Sequence, residues 1–190
     1  RQLKQTIQQQ IVPLSLRRQA IRVLGRQNDQ DVLDYLSGML IVEQQTALTH
    51  EVARTLVKIR VANLALQFPV PQIRRQVARE VVDYKRITQV AGVYRQHHRG
   101  AMAANDPVIG LLRVLLEESV EQIFRLLMLV RRPEDIHLVF EQLRAPETHV
   151  RADAAELLDN LLDPAMRGTI LPILDEDRFL SIIDEEPAIV

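Results

Sequence analysis

One short pattern occurs three times in this chain and constrains its fold more than any single residue does. It reads aliphatic, Arg, two variable positions, a small or β-branched residue, and aliphatic residues again one turn later. The copies are Leu16-Arg17-Arg18-Gln19-Ala20 leading to Val23-Leu24, Ile73-Arg74-Arg75-Gln76-Val77-Ala78 leading to Val81-Val82, and Val150-Arg151-Ala152-Asp153-Ala154-Ala155 leading to Leu157-Leu158. Each follows a proline (Pro13, Pro71, Pro146) by a few residues, which suits the first turn of a helix. A helix that returns to the same apolar face behind a proline-marked turn is one unit of a helical-repeat stack.

Composition agrees with helices. Hydrophobic residues make up 47% of the chain and aromatics only 4%, so aliphatic ridges have to interlock to form the interior. Six glycines and no glycine-marked hairpin argue against a β-sandwich or barrel. The absence of cysteine excludes disulfides and thiolate metal sites and is compatible with a reducing compartment. The longest apolar stretch, Val108 to Val130, is broken by Arg113, Glu117, Glu118, Glu121 and Arg125. A membrane span needs about 20 mostly apolar residues, so this stretch reads as an amphipathic, buried helix.

Periodicity predicts helices over Gln2–Ile11, Leu14–Gln27, Gln30–Glu43, Thr46 or Thr49 to about Phe68, Gln72 to about Arg99 with a break at Gly92, Asp106–Val130, Glu134–Leu143, Thr148–Leu162, and onward from Asp163-Pro164. Leu16, Ala20, Val23 and Leu24 are expected on one buried stripe, with Asn28 or Asp29, Asp106 and Thr148 as caps. A flexible connection is expected near 97–105, and an acidic, frayed tail from Asp175. The Arg of the pattern recurs after 57 and then 77 positions (Arg17, Arg74, Arg151). HEAT and armadillo units repeat every ~40–47 residues, so the repeats are degenerate. The expected fold is all-α: one domain over 1–190, a short two-layer α-solenoid of HEAT/armadillo-like helix pairs.

Chemistry is scarce. His50, His97, His98, His137 and His149 lack the i, i+3 or i, i+4 pairing of a helical metal site. Glu117-Glu118-Glu121, Asp159-Asp163 and Asp175-Glu176-Asp177 do not match a calcium loop, and no phosphate-binding glycine loop or partnered nucleophile is present. No catalytic residue, cofactor or metal is expected. Residues 1–100 carry 16 basic against 7 acidic side chains, and residues 101–190 carry 8 against 18. Such polarity can turn one end towards an anionic surface or let the two ends attract, although two solvated faces are the simpler account. Arg17, Arg18, Arg22, Arg74, Arg75 and Arg79 form the candidate basic surface. The simpler role for the pattern arginines is a bridge to an acid or carbonyl of the neighbouring unit. With only Tyr84 and Tyr94 nearby for base stacking, nucleic acid is the weaker partner.

Val150 to Leu158 looks like the second helix of a HEAT repeat. Leu115-Leu116-Glu117-Glu118, Ile123 to Leu127, Pro133-Glu134-Asp135-Ile136, Ala155 to Leu162 and Leu171 to Asp175 run in an order with a narrower likeness. They resemble the soluble HEAT-like region that follows the membrane domain in bacterial nucleotide transporters of the ATP/ADP translocase type. That resemblance covers about a third of the chain. It implies a non-catalytic interaction or regulatory domain, cytoplasmic and tethered to the inner membrane through transmembrane helices outside these residues. Its partner would be its own membrane domain or another protein, with an anionic membrane surface close to the basic half. The chain opens on Arg1, as expected for a piece of a longer protein. A free-standing protein-binding scaffold is the alternative.

Overall fold

A computed structural model describes residues 2–97 and 106–174. Among them every regular element is an α-helix: α1 (Gln2–Gln8), α2 (Leu14–Gly25), α3 (Gln30–Val42), α4 (Thr46–Ala62), α5 (Val70–His97), α6 (Pro107–Val130), α7 (Pro133–Leu143), α8 (Thr148–Leu161) and α9 (Pro164–Leu174). The fold is all-α. Most of the expected 97–105 connection, and the acidic tail from Asp175, lie outside the described residues.

Local chemistry sets the boundaries. Val12 N–H donates to the Gln9 carbonyl in a turn that ends α1 before Pro13, because a proline disfavours helical geometry in its predecessor. Asp29 caps α3 by accepting from Val32 N–H at 2.8 Å, while Asn28 takes a positive φ of 50°, a conformation that asparagine tolerates. Helix α4 stops at Ala62, six residues short of expectation. Beyond it the Asn63 carboxamide accepts from Ala65 N–H, offering the backbone a local alternative to further helix. Gly92 does not break α5, which runs through it. Asp106 accepts from Val108 N–H at 2.8 Å and starts α6. Thr148 is not a cap. It is the first helical residue of α8, Glu147 precedes it without a side-chain cap, and the Thr148 hydroxyl accepts from Arg151.

The helices group into two compact units, 1–77 with 124–138, and 78–123 with 139–190. In the first, α2 packs on α1 and α4, and α4 packs on α3. Lys4 stands 4.7 Å over the Tyr35 ring, and the Tyr35 hydroxyl donates to the Lys4 carbonyl, joining α3 to α1. The core holds Ile7, Ile21, Leu24, Leu33, Leu36, Leu48, Val52, Leu56 and Ile59. At Gly25 helix α2 lies tight against α4, since a β-carbon there would overlap the Thr55 methyl.

In the second unit the Tyr94 hydroxyl donates to Asp106 at 3.0 Å, and α8 packs on α9. Asp106 raises the Tyr94 pKa, chiefly through that hydrogen bond. The core here includes Val81, Tyr84, Leu116, Ile123, Ala154, Leu158, Met166 and Ile170.

The three pattern copies share two core positions. Ala20, Val77 and Ala154 are buried at the small-residue site, and Leu24, Val81 and Leu158 are buried one turn on. The expected stripe on α2 is rotated. Leu16 and Val23 are exposed, and the buried face is Arg17, Ala20, Ile21 and Leu24.

Candidate interaction site

Arg17 sits on the apolar face of α2 with its side chain only 8% exposed. It stays there because its guanidinium is satisfied. Nε donates to the Ile7 carbonyl at 2.6 Å, Nη1 to Gln45 Oε1 at 3.0 Å, and Nη2 to Glu43 at 3.2 Å. The Glu43 carboxylate is in turn held by the backbone N–H groups of Gln44 and Gln45. One arginine therefore ties together the end of α1, the start of α2 and the α3–α4 turn.

These ends surround an open cleft of about 960 Å³ with Arg17 in its lining. Gln8, Gln10, Gln44 and Gln45 contribute amides. Ile11 and Val42, 92% and 75% exposed, supply large apolar side chains with no place in the core. A guanidinium carries five N–H groups. Three are committed, which leaves one on Nη1 and one on Nη2 for an acceptor entering the cleft.

A second cluster lies nearby in the same unit. Glu51, on α4, is almost wholly buried and accepts from Arg22 twice at 2.8 Å and from Arg18 at 3.1 Å. The hydrogen bonds from Arg22 and then Arg18 hold its carboxyl below the usual carboxylate range, against burial, which pulls it upward. The two guanidinium groups favour the ionised form of this carboxylate.

The candidate basic surface is therefore divided. Arg17 is buried, correcting its placement on a surface, and it bridges to a carbonyl and an acid of neighbouring helices. Arg18 and Arg22 converge on Glu51, which neutralises part of their charge. Arg74, Arg75 and Arg79 are exposed on α5. Arg151 bonds locally, to the carbonyls of Ala145 and Pro146. Sequence reasoning missed Ile11, Val42, Glu43, Gln45 and Glu51. Glu51 carries a legible signal, an acid three residues after Leu48 on the stripe that continues to Val52, Leu56 and Ile59. Ile11-Val12 beside Pro13 is another, apolar bulk where no helix can bury it.

Among the described residues no group of three or more His, Asp or Glu converges as a metal site, and no helix is long and apolar enough to cross a membrane. No family model, curated protein or solved structure matches the chain.

Proposed function

We propose that the chain is a non-catalytic interaction module, built as a short two-layer α-solenoid of degenerate HEAT/armadillo-like helix pairs. The contacts of the first four helices support the layering: α1 pairs with α2 and α3 with α4, α2 meets α4, and Tyr35 joins α3 to α1. Binding occurs at the cleft between the helix ends, and the observation that carries this is Arg17. A buried guanidinium with two uncommitted N–H groups, under the exposed Ile11 and Val42, suits a peptide that offers a carbonyl or carboxylate beside an apolar side chain.

In the narrower form of this reading the module is a cytoplasmic regulatory domain beside a bacterial nucleotide-transporter-type membrane domain, which would itself supply the peptide. The order of motifs from Leu111 to Asp177 supports that form, and the complete reading frame tests it. Without transmembrane helices in that frame, the free-standing scaffold is the form that stands.

The cleft is tested by a photo-crosslinking residue placed at Ile11 or Val42 in the protein in its native cell, with exposed Ser15 as control. One common partner from positions 11 and 42, absent from position 15, is the expected result. The same products from all three positions refute binding at the cleft.

A further inference from the structure

Outside the cleft, two helices of the second unit carry apolar stripes that their own unit leaves uncovered. On α5 the buried face is Val81, Tyr84, Thr88 and Ala91. Val82, Arg86, Val90 and Val93 follow helical spacing on the opposite face, and the three valines are about half exposed. A shallow groove of about 580 Å³ runs along this face past Arg86, Val90 and Val93. On the first half of α6, Val108, Leu111, Val114 and Leu115 are exposed, and Glu118 continues their face, while Leu116, Val120 and Ile123 point to the core.

The two stripes carry opposite charge. Arg86 lies among the valines of α5, next to Lys85, and Glu118 adjoins the leucines of α6, next to Glu117. Arg86 has an ion pair with Asp83 one turn back, but both side chains are more than half exposed. Such a pair is worth little and yields readily to a better one.

We propose that the chain binds a second copy of itself, the α5 stripe of one copy seated on the α6 stripe of the other, with Arg86 meeting Glu118. Charge selects this pairing. Placing α5 on α5 sets arginine against arginine, and placing α6 on α6 sets glutamate against glutamate, whereas the unlike pairing joins opposite signs over matched aliphatic surfaces. Two reciprocal Arg86–Glu118 contacts between the same two copies make a two-fold dimer, whereas one such contact per pair is head-to-tail and closes into a ring or propagates as an open chain.

Sedimentation velocity of the full chain over a concentration series, at low and high salt, is the test. Wild type is expected to gain mass with concentration, and to do so less at high salt, where exposed charges are screened. R86E and E118R, each folded by circular dichroism, are expected to weaken association about tenfold or more. An equimolar mixture of the two variants is expected to recover it, since each then presents the sign the other lacks, and R86E/E118R in one chain is expected to recover it as well. A wild type that stays monomeric throughout overturns the proposal. Association indifferent to both reversals, or no recovery in the mixture, overturns it too. So does loss in R86E with none in E118R, which would place some other acidic segment on the α5 stripe.

Discussion

Replacing Arg17 by Leu isolates what a buried arginine contributes at the junction of α1, α2 and the α3–α4 turn. Three hydrogen bonds disappear, yet they are unequal. Glu43 is 19% exposed on its side chain and Gln45 is exposed, so both regain water when the guanidinium leaves. The carbonyl of Ile7 depends most on the guanidinium, because Ile7 is fully buried and water reaches it only through the cleft that Ile7 lines. A buried acceptor left without a partner costs about 1–3 kcal/mol, and the remaining charge-assisted bonds, discounted for rehydration, add roughly 1 kcal/mol. The expected loss is therefore about 2–4 kcal/mol. With a urea dependence of about 2 kcal/mol per molar, the midpoint falls by roughly 1–2 M. Helix α1 has seven residues, too few to persist alone, so its amides should lose hydrogen-exchange protection first. If the Ile7 carbonyl carries most of the loss, a double-mutant cycle with Glu43→Gln should return a coupling under about 1 kcal/mol. A variant as stable as wild type, or a coupling equal to the whole loss, refutes this reasoning.

Gly38→Ala should stabilise the protein and Gly25→Ala should not. Gly38 has open space around it and should gain roughly 0.8–1 kcal/mol of helix propensity, whereas at Gly25 the overlap with the Thr55 methyl should cost about 1–3 kcal/mol and cancel or exceed that gain, as thermal melts would show. Glu51 has a folded pKa depressed below its ordinary value of 4.5, so the unfolded state takes up its proton first as pH falls. Its stabilisation is present above that value and lost below it. The stability gap between wild type and Glu51→Gln should therefore shrink as pH drops from 6 towards 3 in parallel urea titrations, and a gap constant across this range contradicts the pairing. Ala154 is fully buried and Ala155 is partly exposed, so Ala154→Leu should overpack by ~1–3 kcal/mol while Ala155→Leu changes stability by under about 0.5 kcal/mol in chemical denaturation.

The helices were legible because their signals are local. Aliphatic spacing, Pro13, Asp29, Asp106 and Pro133 act within one turn, and every helix among the described residues starts within two residues of an expected position. The shared core sites at Ala20, Val77 and Ala154 were legible for the same reason, a small or β-branched residue one turn after an aliphatic one. The phase of α2 was not. Helical spacing alone favours Leu16 on the buried side, and Arg17 displaces it only because the Ile7 carbonyl, ten residues earlier, needs a donor. That requirement is tertiary and leaves no mark in a local window. The cleft escaped for the same reason, since its parts come from three separate helix ends.

Both compact units are discontinuous in sequence, and this governs how the chain matures during synthesis. The first unit needs residues 124–138, which leave the ribosome only after the 46 residues 78–123 of the other unit. At about 5–20 residues per second, roughly 3–12 s pass between residue 77 and residue 138. For that interval the first unit lacks residues 124–138. A pause in translation within residues 78–123 lengthens that interval; cutting the gene at residue 77 parts the first unit from residues 124–138, and cutting it at residue 123 divides both units.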